Sequence, residues 1–123
     1  MEIEMTKLPK TWIIDLDGTI LKHNGYKTDG VDSFLEGADL LLGQIGQDDM
    51  VIILTSRTEE FRDITEAFLK KMKIRYDHII YNAPYGERLL INDKKPSGRL
   101  MAYAFNPDRD KTADITIRIN EEL

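Results

Sequence analysis

Short apolar runs and helical stripes alternate along the chain. Thr11-Trp12-Ile13-Ile14 is β-branched and aromatic and stops at Asp15, the pattern of a buried strand. A glycine-bearing polar stretch, Lys22 to Asp32, reads as a loop. Ser33 with Glu36 three residues on forms a capping box, and Leu35, Ala38, Leu41, Leu42 and Ile45 recur at helical spacing, predicting a helix to about Gly46. Val51 to Leu54 is a second buried strand. Ser56 with Glu59 offers another capping box, followed by an apolar stripe of Phe61, Ile64, Phe68, Leu69 and Met72. Lys70, Lys71 and Lys73 suit the negative end of that helix's dipole, as a solvated helix end. His78 to Tyr81 is a third strand and Leu89 to Asn92 a fourth, with a turn at Pro96-Ser97-Gly98. Met101 to Phe105 is a short candidate fifth. Ile115, Ile117 and Ile119 alternate with Thr116 and Arg118, as in an edge strand with one covered face. This order predicts an α/β sandwich around a mainly parallel sheet, whose binding crevice lies at the carboxyl ends of the strands.

Composition narrows the class. At 123 residues, 41% hydrophobic and 32% charged, residues 1–123 fit one globular domain with its own core. No run approaches the roughly 18 residues of a membrane span, and Met1 to Lys10 has no leader-type apolar region, so the expectation is a cytoplasmic protein without a membrane partner. The absence of cysteine excludes disulfides, thiol nucleophiles and thiolate zinc sites. A net charge of −5 speaks against a nucleic-acid surface. Chemistry must therefore run on carboxylates, hydroxyls and cations.

Those groups gather where the fold class places its crevice. Asp15-Leu16-Asp17-Gly18-Thr19 follows the first strand, Thr55-Ser56-Arg57 the second, and Asp93-Lys94-Lys95 the fourth. Any one of these is a plausible surface turn; their convergence on one sheet edge points to a site. Asp15 and Asp17 lie two apart and face the same way in extended chain, and with Asp93 they would repel one another unless a cation sits among them. An all-oxygen donor set favours Mg²⁺. Gly18 permits a sharp turn that brings backbone N–H groups to an anion, and Thr55 and Ser56 add hydroxyl donors.

Ile13-Ile14-Asp15-Leu16-Asp17-Gly18-Thr19 resembles motif I of the haloacid dehalogenase superfamily of phosphohydrolases. Val51 to Thr55 is similar to its motif II, and Leu90-Ile91-Asn92-Asp93 to its acidic motif IV. The likeness spans residues 11 to about 100 and is strongest to small capless members of capsule and lipopolysaccharide sugar pathways. It implies a Rossmann-like three-layer sandwich and a Mg²⁺-dependent phosphomonoesterase acting on a small phosphorylated metabolite, such as a sugar or polyol phosphate. On that resemblance Asp15 is the nucleophile that forms an aspartyl-phosphate, and Asp17 is the general acid and then base. Asp15, Asp17 (through its carbonyl) and Asp93 hold the metal, while Thr55 and the amides near Gly18 bind phosphoryl oxygens.

Two positions depart from the family pattern. Ala83 stands where motif III supplies a lysine, so the cation must come from elsewhere: Arg88 is favoured, then Lys94, with Lys95 also near. Asn92 stands where relatives often carry Asp. Between Asp17 and Thr55 lie 37 residues, and between Thr55 and Ala83 only 27, which leaves no room for a cap domain. The substrate is then large, or a second copy of the chain supplies a lid. In cis the 22–30 loop is the candidate flap, with His23, Asn24 and Tyr26, against the alternative of an exposed connector. Two other functions compete: a non-catalytic phosphate-binding or scaffold subunit, suggested by Ala83, and a phosphatase of a macromolecule, protein or nucleic acid 3′ end, suggested by the open site.

Overall fold

The computed structural model describes residues 1–123. Three strands, β1 (Thr11–Ile14), β2 (Met50–Leu54) and β3 (His78–Ile80), form a parallel sheet in that spatial order. Their register pairs Ile14 with Ile53 and Leu54 with Ile80. Parallel neighbours require crossovers, and the chain supplies them. From β1 to β2 it passes through two short helices, α1 (Gly25–Thr28) and α2 (Ala38–Leu42). From β2 to β3 it passes through a 3₁₀ turn (Glu59–Phe61) and α3 (Arg62–Lys71). A separate two-stranded parallel sheet joins Glu2–Met5 to Thr116–Ile119. The class is therefore α/β with parallel sheets, as the sequence predicts.

The core forms where the central strand meets the crossovers. Val51 and Ile53 on β2 pack with Ile14, Leu16, Ile20, Leu21, Ala38 and Leu69, all buried. Asp49 ties the incoming ends of the sheet together: it accepts from the Lys10 amide at 2.8 Å, the Trp12 indole at 2.9 Å and the Gly46 amide at 2.7 Å.

Several predicted elements differ. The first predicted helix shrinks to the five residues of α2, and Gly37 rather than Ser33 precedes it, in the left-handed region at φ 85°. Neither capping box forms; Thr58 precedes the 3₁₀ turn without a side-chain cap. On α3 the buried positions are Thr65 and Leu69, whereas Ile64 is 51% exposed, so the inward face is rotated from the predicted stripe. Leu89 to Asn92 is not a strand: residues 84–94 make no backbone–backbone hydrogen bond, and Ile91 is 92% exposed. That segment is tied instead through side chains, Arg88 reaching Asp15 and the Pro84 carbonyl accepting from Ser56. Met101 to Phe105 is also irregular. The last strand does form, but against Glu2–Met5, a strand that its four-residue alternation alone did not announce.

Candidate active site

Parallel register brings the ends of β1 and β2 to one edge, so Asp15 emerges beside the residues that lead to Thr55. After Asp15 the chain turns sharply. The Leu16 carbonyl accepts from the amides of Thr19, Ile20 and Leu21 at 3.0 to 3.2 Å, and the Gly18 amide donates to Leu21 at 2.7 Å. Gly18 holds φ 83°, where a side chain is strained, and a Cβ there would stand 3.2 Å from Cγ of Arg109. Gly18 thus shapes the turn, and its own N–H is already engaged, which corrects the expectation of a donor at this position. The amides of Leu16 and Asp17 have no intramolecular acceptor.

The Asp15 carboxylate is one-third exposed and held at both oxygens. Thr19 Oγ1 donates to Oδ2 at 3.0 Å, and Arg88 Nη1 donates to Oδ1 at 3.0 Å. Arg88, the cation favoured to replace the missing lysine, is thus brought to the carboxylate at the site's centre, with further N–H groups to spare. Lys94 and Lys95 are not: their side chains make no ion pair, and both residues are exposed on the irregular segment. Thr55 is buried. Its hydroxyl accepts from the Arg57 amide at 3.1 Å and keeps its own hydrogen to donate. Ser56 sits at the rim, its Oγ donating to the Pro84 carbonyl at 3.4 Å.

Arg57 is the site residue that the sequence reading passed over. Its side chain is fully buried, and all five N–H groups find acceptors. Nε and Nη2 donate to the two oxygens of Asp17, both at 2.9 Å. Nη2 and Nη1 donate to the two oxygens of Asp32 at 2.6 and 3.0 Å, and Nη1 also donates to Thr65 Oγ1 at 2.9 Å. The Tyr26 ring covers the guanidinium at 4.0 Å and meets Phe61 edge-on at 4.9 Å. Burial alone would lower the Arg57 pKa, but the bonds and charges of Asp32 and Asp17 outweigh it and raise the value well above the usual range. The 22–30 segment is accordingly pinned through Tyr26. A second unforeseen element lies behind Gly18, where the Asp110 amide donates to the Gly18 carbonyl at 2.8 Å and the Asp110 carboxylate accepts from the His23 amide at 2.7 Å. The Asn106-Pro107-Asp108 turn residues were the only signal for it.

The predicted metal set does not assemble. Asp93 is exposed on the irregular segment, and no group of three or more histidine, aspartate or glutamate side chains is placed to hold a metal ion. Both oxygens of Asp15 are already engaged, by Thr19 and Arg88, and the side chain of Asp17, as distinct from the carbonyl expected to bind metal, is engaged by Arg57. The residues as arranged do not fit a Mg²⁺ site, and the geometry has to be read with arginine as the local cation.

Comparison with known proteins returns no matching family model and no matching curated protein. Two solved structures are similar. One is a structure of a Pnkp1/Rnl/Hen1 complex, with a chain 33% identical over 69% of this chain and 32% of its own, at a TM-score of 0.53. The other is a structure of the Pnkp1/Rnl/Hen1 RNA repair complex, with a chain 34% identical over 70% of this chain and 30% of its own, at a TM-score of 0.52. The chain thus spans about a third of the length of the chains it matches.

Proposed function

We propose that the protein is a phosphomonoester hydrolase working through Asp15, of the capless haloacid dehalogenase type that its motif I resembles. The observation that carries this reading is the Asp15 carboxylate, partly exposed at the carboxyl edge of a parallel sheet and paired with Arg88 at 3.0 Å. A carboxylate oxygen of Asp15 attacks phosphorus, forming an O–P bond as the bond to the leaving oxygen breaks. The leaving oxygen takes its proton from solvent water, because both oxygens of Asp17 accept from Arg57 and that carboxylate carries no proton to give. The Asp17 carboxylate then takes a proton from the water that attacks phosphorus, and the Asp15–phosphorus bond breaks to release inorganic phosphate. Arg88, the Thr55 hydroxyl and the unengaged amides of Leu16 and Asp17 supply donors for the phosphoryl oxygens, where charge is spread in the transition state.

The substrate proposed first is a small phosphorylated metabolite, a sugar or polyol phosphate, in keeping with the motif resemblance. A second reading, the phosphorylated end of an RNA, is favoured by the likeness to chains of an RNA repair complex. Both are tested in one assay of phosphate release from sugar, polyol and nucleotide phosphates and from oligoribonucleotides bearing a terminal phosphate, with Mg²⁺ or with EDTA. Asp15→Asn is expected to lower release by at least about 10³-fold on every substrate turned over. Silence of folded wild-type protein across the panel, or an undiminished Asp15→Asn variant, overturns the hydrolase reading and leaves a phosphate-binding subunit in its place.

A further inference from the structure

We propose that His23 is the proton source for the leaving group, its imidazolium feeding a proton through one water to the oxygen that departs from phosphorus. The inference rests on the phosphohydrolase reading and fills a place that the carboxylates leave open. Both oxygens of Asp17 accept from Arg57, and those of Asp15 accept from Thr19 and Arg88, so neither carboxylate brings a proton. An arginine does not give one up. Imidazolium is the side chain best suited to protonate an alkoxide near neutral pH. The chain has two histidines, and His78 opens β3 at its amino end, away from the site. His23 lies with the site. A Cβ on Gly18 would stand 3.7 Å from both Cβ and Nδ1 of His23, so the imidazole rests against the turn that follows Asp17. Asp110 clamps it there: its amide donates to the Gly18 carbonyl at 2.8 Å, and its carboxylate accepts from the His23 amide at 2.7 Å. No protein group bonds either ring nitrogen, and the residue is only half-buried, which leaves the ring open to water. The charged groups around it are Asp110, Arg109 over the same glycine, and Lys22, which is committed to Asp29 at 2.7 Å. In the step itself the imidazolium N–H bond breaks as the water takes that proton, and a proton of the water forms the O–H bond of the released alcohol. The neutral imidazole then regains a proton from solvent.

The choice of leaving group separates proton delivery by His23 from mere support of the loop. p-Nitrophenolate departs without a proton, whereas the alkoxide of glycerol phosphate needs one as it leaves. The ratio kcat/KM reports the steps up to that departure. His23→Gln is expected to lower kcat/KM for glycerol phosphate by about 10²-fold or more, the scale of a lost general acid, while changing that for p-nitrophenyl phosphate by less than about 3-fold. An equal or larger fall on p-nitrophenyl phosphate, or no fall on either substrate, overturns the proposal. So does an Asp17→Asn protein that shows this selectivity when His23→Gln does not, since Asp17 would then be the donor. Wild-type protein that turns over p-nitrophenyl phosphate but not glycerol phosphate overturns it as well, because no group then delivers a proton. Should His23→Gln fail to fold, Asp110→Ala releases the His23 amide and leaves the imidazole in place. It must show the same selectivity in smaller measure, and an unselective Asp110→Ala protein counts against His23. If folded wild type turns over neither substrate, the hydrolase reading fails first and the role of His23 falls with it. If wild type is active on both but the variants are unselective, the role of His23 alone fails.

Discussion

At the level of single residues, the question is which cation meets the phosphate. Ala83 removes the expected lysine, and the sequence leaves Arg88, Lys94 and Lys95 as substitutes within a few positions of one another. Their separation comes from structure: Arg88 bonds Asp15, while the two lysines sit exposed with no ion pair. An arginine fork that spends one N–H on the nucleophile can still offer paired donors to two phosphoryl oxygens, which an ammonium does less well. Arg88→Ala is therefore expected to lower kcat/KM by about 10² to 10³-fold, the scale found for a lost transition-state donor. Lys94→Ala and Lys95→Ala should each stay within about 2-fold, since a solvated cation at that remove is screened by salt. Steady-state rates on one good substrate compare all three, and a fully active Arg88→Ala protein removes Arg88 from the mechanism.

Elements show why some of the fold was legible and some was not. The strands Thr11–Ile14, Met50–Leu54 and His78–Ile80 read from the sequence to within a residue or so, because each is a short β-branched, apolar or aromatic run, most fully buried in Met50–Leu54, the central one of the three. Leu89 to Asn92 has the same look. A run becomes a strand only where a neighbouring edge takes its hydrogen bonds, and no count of apolar residues reveals whether that edge is offered. Helix α3 was legible as a helix, but its inward face was not. A stripe drawn through the largest apolar side chains includes Ile64 and misses Thr65, whose hydroxyl is drawn inward to Arg57. The distinction is measurable by urea denaturation. Leu69→Ala is expected to cost about 2 to 5 kcal/mol, the usual range for a truncated core leucine. Ile64→Ala should stay within about 0.5 kcal/mol, as at other surface positions away from special features. Equal costs would restore the predicted stripe.

Across the whole molecule, the meeting of Asp15, Asp17 and Thr55 followed from topology, since parallel strands end on the same edge whatever the loops do. Arg57 was visible at that edge, but its role was not, because Asp32 and Tyr26 reach it along a loop path that no periodicity encodes. The same global view bears on substrate. The chain carries a net charge of −5, and two of the cations at this edge are Arg88, bonded to Asp15, and Arg109, packed over Gly18. Affinity for a single strand falls with salt at a slope of about −0.7 per phosphate neutralised. Two such contacts give a slope of about −1.4 in log K against log salt for an RNA with a terminal phosphate. A small sugar or polyol phosphate spans no further phosphates, so its dependence should be shallower. Binding titrations of a catalytically silent Asp15→Asn protein across a salt series would read this directly. A slope steeper than about −3 would require a basic track of more than about four contacts, and therefore cations well beyond Arg88 and Arg109, which the acidic balance of the chain argues against.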